Sequence, residues 1–366
     1  MFTLRQYLLA LLDSRGLTRT LGEIDVCRDE QGRPCFSAGN SAAVFRIRLG
    51  GRIRSLRCYL RPMRHLKEIY GQRLLEKELY LHTSPETGVW VDTVLGDWIE
   101  GSTLHETVAQ AAALRDRESL QILVRLFDRL ALALVTDDRA HGDLKPENII
   151  VGDDGTLCPI DFDASYLPAF AGEISPELGT AAYQHPARTA ADFDERIDDY
   201  PAALISTALH ALAEDPTLWD RYGSSDGLLY TPQRIASDPA YRETLALFEK
   251  RGMAVQYRIA QLLTAPTLRL FGLAELLAEA VREKPAARSG TEAETPELFV
   301  ENGLWGYRTP EQVVVPPLYD CGFDFTEGLA AVRVGQAWHY IDIEGRTRIR
   351  CAGYEAVKPF RNGRAE

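Results

Sequence analysis

His141-Gly142-Asp143-Leu144-Lys145-Pro146-Glu147-Asn148, followed by Ile160-Asp161-Phe162-Asp163, is the stretch on which the reading of this chain turns. It gathers carboxylates, an ammonium and an amide into a short segment, with Asp143 five residues before Asn148 and eighteen before Asp161. Asn148 and Asp161 carry oxygen donors, and Asp143 and Lys145 carry opposite charges close together in sequence. The bland alternative is a polar turn joining a helix to a β-hairpin. One such turn contains Asp and Asn by chance, but two spacings kept together argue against it.

The flanks set this stretch between regular elements. Ile149-Ile150-Val151 and Leu157-Cys158-Pro159-Ile160 read as two short strands hinged on Asp153-Asp154-Gly155. Long apolar-rich helices are predicted at Leu120–Leu134 upstream and Tyr200–Leu212 downstream, both largely buried. Farther upstream, Phe36-Ser37, Val44–Arg48 and Ile53–Tyr59 alternate apolar and polar residues around Gly39 and Gly50-Gly51, the pattern of half-buried strands. A helix is predicted over about 64–82, from the spacing of Leu74, Leu75 and Leu79, followed by strand-like runs at Val89–Val91 and Thr93–Leu95. Met1 to Leu12 reads as an amphipathic helix ending near Gly16 rather than as a signal peptide.

Composition narrows the class. A chain of 366 residues, 45% hydrophobic and 26% charged, suits two or three folded domains and excludes disorder. The formal net charge of −12 argues against a nucleic-acid partner, and no apolar run approaches the ~20 residues of a membrane span. Six scattered cysteines, with no C-x-x-C pair, fit a reducing compartment, so a cytoplasmic location is expected. Residues 283–297 hold no large apolar residue and read as a linker. Beyond it the sequence repeats: Tyr319, Phe325, Gly328 and Ala330 recur 35 residues later as Tyr354, Phe360, Gly363 and Ala365, and Trp305-Gly306-Tyr307 recurs as Trp338-His339-Tyr340. Such a period points to stacked β-repeats, and the second copy stops short of a partner strand, as in a piece of a longer array.

The spacings around Asp143 make residues 33–282 resemble the protein-kinase superfamily, specifically the eukaryotic-like Ser/Thr kinases. The resemblance implies an α+β bilobal fold, with a small β-rich lobe and a helical lobe. Together with the linker and the repeats, this divides the chain into four expected regions: an N-terminal helical extension at 1–32, a kinase-like domain at 33–282, the linker at 283–297 and an all-β repeat module at 298–366. It also implies ATP and Mg²⁺ as cofactors and a hydroxyl of a protein as acceptor. Asp143 would orient that hydroxyl and take its proton, Lys145 would offset charge on the moving phosphoryl group, and Asn148 and Asp161 would hold the metal. Ser37–Val44 lines up with the phosphate-covering G-x-G-x-x-G-x-V loop, which places Gly39 and Val44 at the nucleotide. Arg57 takes the place of the strand lysine, Glu76 (or its neighbour Glu78) that of the helix carboxylate pairing with it, and Glu100 lies in the hinge Trp98-Ile99-Glu100-Gly101 that would meet adenine. Gly179–Pro186 resembles the end of the activation segment, and Asp198 would accept hydrogen bonds from catalytic-loop backbone.

Four positions depart from the family pattern. Arg57 replaces a lysine, a change of shape at constant charge, unless the phosphate-binding cation lies elsewhere. Gly142 replaces the arginine of H-R-D, which removes the cation that docks a phosphorylated activation segment, so activation by loop phosphorylation is not expected. Asp163 replaces the glycine of D-F-G and brings a second carboxylate near the metal. Ala187 replaces the acid that ends the segment.

Two other activities compete with a protein kinase: a pseudokinase scaffold that binds nucleotide, motivated by Arg57 and Asp163, and a small-molecule kinase like the aminoglycoside and choline phosphotransferases, which share His-Gly-Asp. The tail resembles the WG-repeat family through Trp305-Gly306, Pro316–Asp320, Phe325–Ala330 and Phe360–Gly363, and recruitment of a protein partner is the expected role. Neither nucleic acid nor membrane is an expected partner. A run of basic residues from Arg46 to Arg73 reads either as a docking face for an anion or, more plainly, as a solvated sheet face.

Overall fold

The computed structural model describes residues 1–152, 155–282, 296–301, 303–310, 312–335, 337–343, 345–351 and 357–359. The chain divides into two compact units, at residues 1–283 and 284–366. The first is bilobal in the expected sense, and the second is all-β.

The small lobe is a six-stranded sheet built from β1 (Asp25–Val26), β2 (Phe36–Ala38), β3 (Ala42–Leu49), β4 (Arg52–Tyr59), β5 (Leu74–His82) and β6 (Gly88–Asp97). Its order is β1-β3-β4-β6-β5, with β2 also paired to β3, all antiparallel. Alternation decides which face is which. Ala43, Phe45 and Ile47 of β3 lie in one fully buried cluster, whereas Ala42 sits in another on the opposite face with Tyr59, Tyr70 and Val94. The first cluster is closed by helix α1 (Leu4–Leu12), which packs Tyr7, Ala10 and Leu11 onto the sheet. A capping box between Thr3 and Gln6 starts that helix. The N-terminal segment is thus part of the small-lobe core.

The helix expected over 64–82 is the main difference from sequence. Only α2 (Leu66–Tyr70) forms there, and the chain then turns at Gly71 into strand β5. The leucine spacing is satisfied by a strand with a bulge: Leu75 faces Thr93 and Leu79 faces Val91, so three residues of β5 bow out opposite Asp92. Lys77, at φ 50°, gives its N–H to the Asp92 carboxylate at 2.7 Å. Pairing with β6 along nearly its whole length outweighs the helical preference of the Glu-Lys-Glu-Leu run.

The large lobe holds the hairpin strands β7 (Gly101–Thr103), β8 (Ile149–Gly152) and β9 (Leu157–Pro159), and helices α3 (Leu104–Ala113), α4 (Arg117–Thr136), α5 (Asp199–Glu214), α6 (Leu218–Tyr222), α7 (Pro239–Arg251), α8 (Ala254–Leu262) and α9 (Leu273–Arg282). The expected helix at 200–212 is α5, buried along almost its entire length. Its apolar wall packs against α4 and forms the largest core of the molecule. No helix among the described residues is long and apolar enough to cross a membrane.

In the second unit, β10 (Glu297–Glu301), β11 (Leu304–Arg308) and β12 (Val313–Tyr319) make one sheet; β13 (Cys321–Gly322), β14 (Ala330–Val334), β15 (Ala337–Ile341) and β16 (Thr347–Cys351) make another. Here the repeat has a visible cause. The Tyr307 hydroxyl donates to the Phe323 carbonyl at 2.7 Å, and Tyr340, at the matching place in the next copy, donates to the Lys358 carbonyl at 2.6 Å. Tyr354, Phe360, Gly363 and Ala365, together with residues 283–295 of the expected linker, lie outside the described residues.

Candidate active site

The catalytic-loop residues converge as their spacing implied. The Asp143 carboxylate accepts the Thr180 N–H at 2.6 Å and an amide hydrogen of Asn148 at 3.2 Å, and it lies 3.4 Å from the Lys145 ammonium. Lys145 also donates to the Thr180 hydroxyl at 2.9 Å. Asn148 is buried and spends its amide nitrogen on the Asp143 backbone carbonyl as well, at 2.9 Å, which turns its oxygen away from that residue. The loop hangs on Asp198 at the head of α5, whose buried carboxylate accepts the N–H groups of His141 and, at 3.0 Å, Gly142. Burial raises the Asp198 pKa, and the adjoining His141 opposes that rise.

Gly142 has a steric reason to be glycine. Its φ is +80°, and a Cβ there would stand 2.0 Å from the Ala164 carbonyl oxygen, so no arginine fits at this position. Gly179 is similar, with a Cβ falling 2.7 Å from the Gly142 oxygen and 2.9 Å from Asp143. A cation reaches the loop from elsewhere. Buried Arg188 donates to the Gly142 carbonyl at 3.1 Å and to the Gln184 side chain.

Across the cleft, Arg57 on β4 sits opposite Val44 and extends to the segment that holds Asp161 and Asp163. One guanidinium nitrogen lies 2.8 Å from Asp161 and 2.5 Å from Asp163. Asp163 further accepts the hydroxyls of Tyr59 at 3.1 Å and Tyr70 at 2.6 Å. Burial works against the charge on Arg57, but Asp161, Tyr70 and Asp163 together hold its pKa above the ordinary value. Burial pushes Asp163 the other way, upward, with Arg57 countering. Asp161 is held at φ 68° and its side chain remains 38% exposed, against 4% for Asp163, so Asp161 is the carboxylate that solvent reaches. Among the described residues no group of three or more His, Cys, Asp and Glu forms a metal cage. By donor chemistry, Asn148 and Asp161 are the residues that would hold a hard divalent cation that keeps most of its water, since both side chains carry oxygen and Asp161 is open to solvent.

Comparisons with known proteins find kinases and a repeat family among similar sequences. The chain is 28% identical over 172 residues to CBL-interacting protein kinase 17 of Oryza sativa subsp. japonica, a match covering 44% of this chain and 35% of that protein. It is 34% identical over 113 residues to Serine/threonine-protein kinase PknL of Mycobacterium tuberculosis, covering 29% of this chain and 27% of that one. The chain thus matches about a third or less of the length of these relatives. A family model described as WG containing repeat matches residues 311–338. The chain joins a kinase-like domain to WG repeats.

Within the kinase-like domain, the remaining expected residues divide. Gly39 lies in the tight turn between β2 and β3, its N–H bonded to the Ala42 carbonyl at 2.9 Å, and Val44 is half-buried on the strand that follows. Glu100 is in the connection from β6 to β7, ion-paired with Arg46. Glu76 does not meet Arg57. It is on strand β5, exposed, and 3.4 Å from Lys67. Glu78 does not meet Arg57 either. It is buried and accepts the N–H groups of Arg19, Thr20 and Leu21 at 2.8–3.1 Å, tying the N-terminal segment to the bulge of β5. The strand that replaces the helix points both glutamates away from the cleft.

Asp163 corrects a second expectation, since it faces Arg57 and two tyrosines rather than standing as a free carboxylate beside Asp161. Tyr59, Tyr70 and Arg188 carried no signal in the sequence, because each acts through contacts made far along the chain. The activation segment is tied to the small lobe by Arg61 on Glu177 and by His65 on Glu173 at 2.9 Å, two glutamates that sequence gave no reason to single out. The basic run from Arg46 to Arg73 is largely neutralised: Arg46, Arg48, Arg54, Arg57, Arg61 and Lys67 each have a carboxylate partner.

Proposed function

We propose that the first unit is a phosphotransferase that moves the terminal phosphoryl group of ATP to a Ser or Thr hydroxyl of a protein, with the WG repeats recruiting that protein or a partner. The observation that carries this reading is the network of Asp143, Lys145 and Thr180. It joins a general-base carboxylate, a cation and the activation segment within hydrogen-bond reach of one another. Asp143, held by the Thr180 N–H and the Asn148 amide, would orient the acceptor hydroxyl and accept its proton. Lys145 would neutralise charge that grows on the transferring oxygens. Arg57 would meet the phosphates, and Gly39 would let the β2–β3 turn lie over them. Mg²⁺ held by Asn148 and Asp161 would supply charge neutralisation between the phosphates. Attachment of Thr180 to both catalytic side chains favours a protein acceptor over a small molecule, because it couples the site to the segment on which a peptide would lie.

A second reading, a pseudokinase scaffold, is favoured by one observation: Arg57 already occupies an oxygen of Asp161. The test is phosphotransfer by the purified chain to generic protein substrates and to itself. Asp143→Ala is expected to lower the rate by about 10²–10⁴ with little change in unfolding temperature. Equal signal from wild type and variant would end the enzymatic reading. A rise in Tm with ATP and Mg²⁺ but no transfer would select the scaffold, since a ligand that binds the native state raises stability by mass action.

A further inference from the structure

We propose that Asp163 is the positioning residue of the nucleotide-facing cation, performing from the metal loop the task expected of a glutamate on a small-lobe helix. This inference rests on the phosphotransfer reading above. An arginine on a long side chain has several rotamers and needs a fixed carboxylate to hold one of them over a ligand. Neither small-lobe glutamate supplies it, because Glu76 faces solvent beside Lys67 and Glu78 is spent on the backbone of residues 19–21.

Asp163 meets the requirement in both oxygens. Its Oδ1 accepts the hydroxyls of Tyr59 and Tyr70, and its Oδ2 faces the Arg57 guanidinium at 2.5 Å. Turning Asp163 toward a metal would break all three contacts inside a buried site. Asp161 holds the same guanidinium nitrogen at 2.8 Å, yet it is the more exposed of the two and stands at the cleft. The two carboxylates therefore divide the work. Asp161 is the exchangeable partner, which a phosphate would replace at Arg57 and a metal ion would draw away from it, and Asp163 keeps Arg57 in place while that happens. Helix α2 reaches this cation through the Tyr70 hydroxyl on Asp163, and among the described residues none of its carboxylates pairs with Arg57, so the cation is placed by folding of the segment around residues 161–165 and not by movement of a helix carboxylate.

The test is a double-mutant cycle in the full chain, read as affinity for ATP with Mg²⁺ by calorimetry and as KM and kcat in phosphotransfer. Asp163→Asn keeps an oxygen for both tyrosines and turns an amide toward Arg57. It is expected to weaken ATP binding and raise KM by about tenfold, with kcat changed much less. In an Arg57→Met background the same substitution is expected to change affinity by less than about twofold. Wild-type affinity in Asp163→Asn, or an equal loss in both backgrounds, overturns the proposal. Should Asp163→Asn fail to fold, Tyr70→Phe removes one brace and leaves both ions. KM is then expected to rise by about twofold to fivefold, and an unchanged KM overturns the assignment. The two layers separate cleanly: a wild type that neither binds nor transfers ends the functional reading and this one with it. A wild type that binds through Arg57 but ignores Asp163 ends only this one.

Discussion

The two sides of the cleft differ in how they hold their charged groups. On the large-lobe side, Asp143, Lys145, Asn148 and Asp161 sit on one short stretch of chain, and Asp198 fixes the loop from below through backbone N–H groups. On the small-lobe side, Arg57 finds its partners more than a hundred residues away, in Asp161 and Asp163. The large-lobe set starts from neighbours in sequence and is then locked by Thr180 and Asp198 from farther along the chain, so it keeps its geometry while those anchors hold. A site made of distant partners follows whichever secondary structure carries each one, and here a strand has replaced the helix that would have carried Glu76.

The strongest way to break the large-lobe side is steric. Gly142→Ala places a Cβ 2.0 Å from the Ala164 carbonyl at a backbone φ of +80°, so both strain and a clash with main chain oppose it. A loss of about 3 kcal/mol or more is expected in chemical denaturation, with loss of phosphotransfer in the fraction that folds. A variant as stable as wild type would show that the 142 and 164 backbones are not in contact.

Asp199, next to the loop-holding Asp198, tests the same floor through pH. Burial raises its pKa to about 7, and among the described residues its carboxylate accepts one long hydrogen bond, from the Leu270 N–H at 3.4 Å. Because the folded-state pKa lies above the unfolded value, the fold prefers the protonated acid. Stability is then greatest on the acid side for this group and falls as pH rises from about 4 to about 7. Asp199→Asn is expected to raise stability at pH 8 by at most about 4 kcal/mol and to change it little at pH 4. Denaturation at the two pH values decides it, and equal shifts at both would refute the buried-acid account.

The two glutamates of β5 sharpen the small-lobe side. Glu78→Gln weakens a buried set of bonds to the 19–21 backbone and is expected to cost about 1–3 kcal/mol by the same measurement. Glu76→Gln touches only an exposed pair with Lys67 and is expected to change stability and KM for ATP by nothing measurable, within about 0.5 kcal/mol. A large KM effect at Glu76 would restore the helix-carboxylate arrangement and place Arg57 differently in the nucleotide-bound protein.

Much of the fold was legible because its signals are periodic. Strand alternation in β3 and β4, the length of α4 and α5, and the repeated Trp-x-Tyr of the tail all follow from which faces must be buried. The helix over 64–82 misread because Leu74, Leu75 and Leu79 suit a helical face and a bulged strand alike. Only the partner strand β6 and the Asp92 carboxylate at the bulge separate the two.

Sequence by itself determined the inventory and order of the chemistry: which carboxylates, amide and cations exist, and the spacings of five and eighteen residues that put Asp143, Asn148 and Asp161 on one loop system. Tertiary structure alone decided who faces Arg57, why Gly142 must lack a side chain, and that Arg188 supplies a cation beneath the loop. The reason is one of range. Local turns are written in consecutive residues, whereas an ion pair or a backbone contact across the cleft depends on where two separate pieces of chain come to rest.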